Sequence, residues 1–116
     1  MLSKELGILP ILIKKQSCNL TINPYTRIVT DTKDRTILLT AKEFDLLYFL
    51  SSHKGQVFTK EQIYEKVWGY DNAPDAINLS SFIRKLRLKI EPHSDNPRYI
   101  ITVWGVGYKF NGEEKP

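Results

Sequence analysis

The sequence has few of the features that mark secreted or membrane proteins. Its single cysteine, Cys18, excludes a disulfide framework within the chain and is typical of a reducing compartment. The apolar run at residues 9–13 is far too short to span a bilayer. Glu5 and Pro10 interrupt the N-terminal segment that could otherwise act as a secretory signal. We therefore expect a cytoplasmic protein without a membrane segment.

Groups suited to catalysis or metal binding are also scarce. His53 and His93 lie far apart, in or beside polar segments, and lack the spacing of metal ligands. Nothing beside Cys18 indicates a reactive thiol, and the serines have no nucleophile-elbow context. No pair of titratable residues is arranged for acid–base chemistry. We expect no enzymatic activity, no metal and no cofactor.

What the sequence does contain is a folded domain with a local concentration of positive charge. Its 116 residues, 41% hydrophobic and 11% aromatic, are enough for one domain with one core. The net charge is +4, and four cations fall within six positions, at Arg84, Lys85, Arg87 and Lys89. No acid occurs in residues 76–90. Charge gathered on one element indicates a polyanionic partner more strongly than a diffuse basic surface does.

Residues 77–90 have the pattern of an amphipathic helix. The residues of one stripe at helical pitch are apolar, namely Leu79, Phe82, Ile83, Leu86 and Ile90. The opposite face and its flanks are polar or cationic and consist of Asn78, Ser81, Arg84, Lys85, Arg87 and Lys89. A helix with one apolar and one cationic face is suited to lie between a protein core and a polyanion.

The N-terminal third of the sequence is typical of short strands. Residues 1–10 show no period and are interpreted as a linker or N-terminal arm. Alternating or β-branched runs separated by turn signals follow at residues 11–14, 18–22, 26–30 and 35–38. They predict a four-stranded antiparallel sheet at the start of a domain that covers residues 11–110.

Two capping boxes predict the first two helices. Thr40 with Glu43, and Thr59 with Gln62, have the spacing at which a side-chain pair satisfies the first amides of a helix. The first helix is apolar almost all round and is expected to end near Gly55 as its C-terminal cap. The second should turn its apolar side inward, with Ile63, Tyr64, Val67 and Trp68.

The remaining segments complete the order of elements. A minimal strand is expected at residues 56–58, a loop at 69–74 and a third helix whose first turn holds Pro74 and Asp75. A polar loop at 92–97 then leads to strands at 99–103 and 108–110, and residues 111–116 read as a C-terminal tail. The class is α+β: an N-terminal sheet, then a winged helix-turn-helix of three helices with a β-hairpin wing.

Several motifs occur in an order that resembles a known family. They are Leu39-Thr40-x-x-Glu43-Phe44-x-Leu46-Leu47, Val67-Trp68, Leu86-Arg87-x-Lys89-Ile90 and Thr102-Val103-x-Gly105-x-Gly107-Tyr108-x-Phe110. Together they resemble the DNA-binding effector domain of OmpR/PhoB-type response regulators. The resemblance implies sequence-specific binding of double-stranded DNA and regulation of transcription as the output domain of a bacterial two-component system. It also implies that the third helix enters the major groove, with the wing (104–108) on the adjacent backbone or minor groove.

The resemblance also implies which side chains meet DNA. The residues that match the family's DNA-facing side of the third helix are Asn78, Ser81, Arg84, Lys85 and Arg87. Arg84 is expected to contact a base, because its guanidinium can pair with guanine O6 and N7. Lys85 and Arg87 are expected to hold phosphates. Ile77 stands where many relatives carry a polar or basic residue, so one contact is missing.

The wing departs from the family pattern at Trp104. Many members carry a cation immediately before the first turn glycine, and this chain has an indole. Trp104 either caps the edge of the core or lays its ring along the sugar–phosphate backbone, and the sequence leaves both alternatives open. Lys109 and Arg98 are further candidates for phosphate contacts.

The resemblance implies partners besides DNA. Family members bind as a pair, a dimer on direct repeats, under control of a receiver domain for which 116 residues leave no room. The chain is therefore expected to be either an excised effector domain or one that naturally lacks a receiver. The loop after the second helix can contact RNA polymerase in this family, which makes Tyr70 and Asp71 candidates for that contact.

Two other classes of function compete with this interpretation. A winged helix can serve as a protein-interaction module, with the basic helix as its docking surface. Binding that falls with salt on duplex DNA would separate the two. An enzyme subdomain is the second alternative, and the absence of a catalytic constellation argues against it.

Overall fold

The structure, a computed structural model, describes residues 15–17, 20–69 and 78–111. These residues divide into two compact units, with the boundary between Leu38 and Leu39. Several predictions lie outside the described residues: the arm at 1–10, the strand at 11–14, Cys18, Tyr70, Asp71, Pro74, Asp75, Ile77 and the tail beyond Asn111. Among the described helices, none has the length and apolar character needed to cross a membrane.

The first unit contains a four-stranded antiparallel sheet. Its strands follow chain order and are β1 (Lys15–Ser17), β2 (Leu20–Asn23), β3 (Ile28–Thr30) and β4 (Thr36–Ile37). The sequence analysis predicted such a sheet, but it did not predict β1, because this strand has no alternation of apolar residues. The strand is instead defined by its pairing with β2, in which Gln16 lies opposite Thr21.

Turn chemistry and burial fix the register of this sheet. Asn23 accepts hydrogen bonds from the amides of Tyr25 and Thr26 through Oδ1, at 2.9 and 3.2 Å, which closes the turn between β2 and β3. Ile22 then lies opposite Val29, and both side chains are buried. A shift of one residue would move both from the buried face to the other face of the sheet.

The second unit begins with α1 (Ala41–Ser51), and its predicted capping box is confirmed. Thr40 accepts from the amide of Glu43, and the Glu43 carboxylate accepts from the amide of Thr40. The predicted end of this helix near Gly55 is wrong, since the helix ends at Ser51 with Ser52 as its C-cap. Gly55 instead lies in the turn that follows the helix, where it has a φ of +83° and donates its amide to Phe110 O at 2.9 Å.

The second helix also starts at its predicted capping box. After β5 (Phe58–Thr59), the helix α2 covers Lys60–Ile63, with Thr59 and Gln62 as the capping pair. It continues as a π-helical turn over Tyr64–Trp68, which the sequence pattern did not predict. Gly69 ends this turn by donating its amide to the carbonyls of Tyr64 and Glu65.

The third helix and the wing complete the unit. Helix α3 covers Leu79–Ile90, followed by β6 (Ile100–Val103) and β7 (Gly107–Phe110). The hairpin is confirmed, and β5 pairs with β7 to give a three-stranded sheet in the order β5-β7-β6. The short strand predicted at residues 56–58 therefore lies at Phe58–Thr59, where Phe58 pairs with Tyr108 of β7.

The core of the second unit lies between its three helices and this sheet. Side chains with no or almost no exposure come from every one of these layers, namely Leu46, Leu47, Leu50, Ile63, Ile83, Leu86, Ile100 and Phe110. A Cβ at Gly107 would overlap the backbone carbonyl of Phe58, so glycine allows β5 and β7 to approach each other. Burial on this scale positions α3 against the hairpin.

Candidate nucleic-acid interface

Helix α3 has two chemically different faces, as predicted. Leu79, Ile83, Leu86 and Ile90 are buried, while Phe82 is half-buried. Phe82 lies edge-on to Trp68 of the preceding element, with ring centroids 5.1 Å apart. The apolar face is thus packed into the core, which leaves the opposite face of the helix to solvent.

The start of α3 lies later than predicted. The pattern predicted a helix over residues 77–90 and placed Pro74 and Asp75 in its first turn, but Leu79 is its first residue and Asn78 is its N-cap, so both placements were wrong. Asn78 Oδ1 accepts from the Ser81 amide at 3.3 Å, which satisfies one of the amides that lack a partner in the first turn. Asn78 and Ser81 are nevertheless both exposed, beside each other at the N-terminal end of the polar face.

The exposed face carries free cationic charge. Arg84 and Lys85 are exposed, and no carboxylate of the described residues forms an ion pair with either of them. Ser80 and Ser81 extend this face toward the start of the helix with hydroxyl groups. The arrangement offers donors and positive charge that no described acid pairs with.

Arg87 lies three residues further on and is placed differently from its expected position. The guanidinium is half-buried, and its Nε and Nη2 donate to the carbonyl of Ile100 at 3.2 and 2.8 Å. Nη2 also donates to Thr102 Oγ1 at 2.9 Å. Burial lowers the pKa of Arg87, whereas the charges of Glu91 and Tyr108 raise it, with a net lowering. These bonds turn Nε and Nη2 toward the wing, and the phosphate contact expected of Arg87 stays a prediction.

Lys89 is the second cation that turns away from the exposed face. Its Nζ lies 2.6 Å from Oε1 of Glu43, whose side chain is only 6% exposed. Burial raises the pKa of Glu43, but the hydrogen bonds from Lys89 and Thr40 outweigh it, so the pKa lies below its ordinary value. The ion pair joins α3 to the first turn of α1.

Glu91 is a buried carboxylate that the sequence analysis did not single out. It directly follows α3 and accepts from the amides of Arg98, Tyr99 and Ile100 at 2.7–3.0 Å. The bonds hold the chain that enters β6 against the end of α3. An acid immediately after a basic helix was the one signal in the sequence, and it does not specify which amides the acid binds.

The tip of the wing is apolar and exposed. Trp104 is 89% exposed and Val106 is 52% exposed, on either side of Gly105. Gly105 has a φ of +81°, which suits glycine, and the amide of Val106 closes the turn onto Val103 O at 2.9 Å. So little of the indole is buried that Trp104 does not cap the core edge. Lys109 is half-buried on the returning strand, and Arg98 is exposed.

An open groove of about 440 Å³ separates α3 from the wing. Its walls combine cationic, hydroxyl and aromatic groups with one acid, namely Ser80, Arg84, Arg87, Leu88, Ser94, Asp95, Thr102, Trp104 and Tyr108. Tyr108 OH lies 3.3 Å from Ser80 Oγ across the floor. The structure thus brings Arg84 and Trp104, which were predicted separately, to the same groove. In the described ranges, no cluster of His, Cys, Asp and Glu could hold a metal ion.

A helix-turn-helix region followed by a hairpin that flanks the exposed helix defines a winged-helix domain. Residues 34–110 match the family described as "Transcriptional regulatory protein, C terminal". The chain belongs to this family, as a DNA-binding output domain of the OmpR/PhoB type.

Related proteins and structures agree with this assignment. The response regulator SaeR of Staphylococcus epidermidis is 41% identical over 100 residues, which are 86% of this chain and 39% of SaeR. The chain therefore spans about two fifths of the length of the curated relatives it matches. The response regulator DrrB of Thermotoga maritima, an OmpR/PhoB homologue, superposes with a TM-score of 0.74 at 34% identity, over 86% of this chain and 45% of DrrB. The DNA-binding domain of Klebsiella pneumoniae RstA, solved in complex with the RstA box, gives 0.73 at 27% identity, over 86% of this chain and 98% of that domain.

Proposed function

We propose that this domain binds double-stranded DNA by placing α3 in the major groove and the β6–β7 wing on the adjacent backbone or minor groove. The observation that carries the proposal is the exposed face of α3. There, Arg84 and Lys85 are exposed on the side opposite the buried apolar face, and neither forms an ion pair with a described acid. An exposed helix of this kind suits the major groove, which is about 12 Å wide.

The proposed contacts divide into those that specify sequence and those that supply affinity. Arg84 is the base contact, because its planar fork can bond both O6 and N7 of guanine. Ser81 and Asn78 lie at the end of the helix that enters the groove, and Lys85 and Lys109 neutralise phosphates. Phosphate neutralisation then supplies most of the affinity and makes it depend on salt.

Trp104 completes the interface from the wing. The indole at the tip of the wing, next to a positive-φ glycine, is almost fully exposed and therefore available to a partner. We propose that its ring lies along a deoxyribose of the backbone that borders the groove. The contact replaces the cation that many relatives carry at this position.

The wider role rests on the family. We propose that the chain acts in the cytoplasm as the output domain of a two-component response regulator, bound as a pair to direct repeats and controlled by a receiver domain. Tyr70 and Asp71 are proposed to contact RNA polymerase. RstA supports the DNA partner, since its domain was solved with the RstA box.

A selection from random duplexes, followed by sequencing of the bound fraction, tests the proposal and yields the operator. Binding to the selected site should fall linearly with salt on logarithmic axes. A repeated motif in the selected pool is expected if two domains bind together. Equal retention of all sequences would contradict specific recognition, and binding to a protein but not to duplex DNA would favour a docking module.

The indole contact has its own test. In a Trp68→Phe background, the emission reports Trp104 alone, and saturating duplex should quench or shift it. Trp104→Ala should weaken DNA binding and leave the thermal melt nearly unchanged, because the ring is 89% exposed. Emission that does not change at saturation would contradict the wing contact.

A further inference from the structure

Both backbone polar groups of Ile100, the first residue of β6, form hydrogen bonds with side chains at the C-terminal end of α3. The carbonyl of Ile100 accepts two hydrogen bonds from the guanidinium of Arg87. The amide of the same residue donates to Glu91 Oε2 at 2.9 Å. Both peptide groups at the base of the wing are therefore bonded to side chains from one end of the helix that is proposed to read DNA.

Arg87 extends this connection into the wing itself. Its Nη2 bonds Thr102 Oγ1, two residues further along β6, and its Cζ lies 6.0 Å from the ring centre of Tyr108 on β7. Tyr108 OH in turn lies within hydrogen-bond distance of Ser80 Oγ, near the start of α3. Contacts thus run from both ends of α3 to both strands of the hairpin.

Resting on the proposed function, we propose that Arg87 is a positioning residue for DNA recognition. It fixes the wing relative to α3, so that the distance between Arg84 on the helix and Trp104 on the wing is already set before one duplex binds both. The role requires a guanidinium, because a planar fork reaches the Ile100 carbonyl and Thr102 together, whereas a lysine has a single ammonium. A wing that is already in place loses less entropy when DNA binds.

Arg87→Lys tests this role because it keeps the charge and removes the fork. Affinity for the selected site should fall about tenfold, as expected for the loss of one charge-assisted hydrogen bond that holds the wing, with the salt slope unchanged. Arg35→Lys is the matched control, because it makes the same exchange at an arginine whose side chain pairs with Asp31 in the first unit. We expect that control to bind like the parent.

A double-mutant cycle links Arg87 to the wing. Trp104→Ala should weaken binding in the parent and have little further effect in Arg87→Lys, since a displaced wing no longer brings the indole to the DNA. Additive effects would overturn the positioning role. So would parent-like binding of Arg87→Lys together with a salt slope about one unit smaller in Arg87→Gln, because that pair of results describes a phosphate contact.

Amide hydrogen exchange of the free protein supplies a readout that does not depend on DNA. In Arg87→Lys the amides of β6 and β7 should exchange at least several-fold faster, while those of α1 exchange as in the parent. Thr102→Val, which removes one acceptor and leaves Arg87 intact, should produce a smaller change in the same amides. Unchanged exchange in the hairpin, or equal acceleration throughout the domain, would overturn the inference. A parent that binds no duplex would contradict the proposed function alone.

Discussion

Two pairs of cations on α3 differ in what they contact. Arg84 and Lys85 lie on the solvent face of α3 without a described acid partner, whereas Arg87 is bonded to the wing and Lys89 to Glu43. All four belong to one basic run of the sequence. The difference shows that a count of positive charges does not tell how many of them remain unpaired, because two of the four bond to other parts of the domain. It also separates variants that change DNA affinity from variants that change stability.

The largest effect, on the stability of the fold, is expected for a residue of the buried face of α3. Leu86 is fully buried between the two cationic pairs, and Leu86→Ala should destabilise the fold by about 2–5 kcal/mol through lost contacts and a cavity. Thermal or denaturant unfolding measures this loss. A parent-like melt combined with lost DNA binding would mean that the two faces of α3 are interchanged.

Arg84 tests the outer pair. Arg84→Ala should cost about 1–3 kcal/mol of binding free energy on the selected site and relax the preference at one base pair, with the melt unchanged. Binding to the cognate site and to single-base variants gives both quantities. Equal losses on cognate and random duplexes would reassign Arg84 to the phosphates.

Glu43 tests the inner pair through pH. Its pKa lies below the ordinary value of 4.5, so the Lys89 pair stabilises the fold above that pH, and the stabilisation is lost as the pH falls through the folded pKa. Glu43→Gln should destabilise by about 1–2 kcal/mol at neutral pH, a figure reduced for the partial exposure of Lys89. The gap between parent and variant, measured by urea unfolding, should shrink below pH 4.5. A gap that stays constant into acid would show that the ion pair contributes nothing.

Three lysine variants give the smallest effects and the sharpest contrast. Lys85→Ala should lower the salt slope of DNA binding by about one unit and leave the melt unchanged, and Lys109→Ala should do the same from the wing. Lys89→Ala should lower the melting temperature and leave the slope nearly as it is. If Lys89→Ala reduced the slope as much as Lys85→Ala, the partition of the four cations would be incorrect.

Local patterns predicted the elements, while distant partners decided the roles of individual side chains. The capping pairs at Thr40 and Thr59 and the apolar stripe of α3 are short-range features, so the sequence located them. The partners of the inner cations are 13 residues away for Arg87 and 46 residues away for Lys89. No periodicity encodes such pairings.

The same limit applies to the smaller differences. The π-helical turn at Tyr64–Trp68 depends on a change of hydrogen-bond register that residue types do not signal. Strand β1 depends on pairing with β2 and not on its own composition. The sequence does not decide between the two roles of Trp104, because exposure is a property of the folded chain. The exposed ring excludes the role of a cap on the core edge.

The base and the tip of the wing differ in how many substitutions they tolerate. At its base, any side chain at Gly107 would separate β5 from β7, so this position is closed to change. At its tip, Trp104 and Val106 contribute little to folding, because both are exposed. Substitutions of Trp104 and Val106 are therefore sampled at almost no cost in stability, and a lineage can change the surface of the tip while the scaffold stays constant.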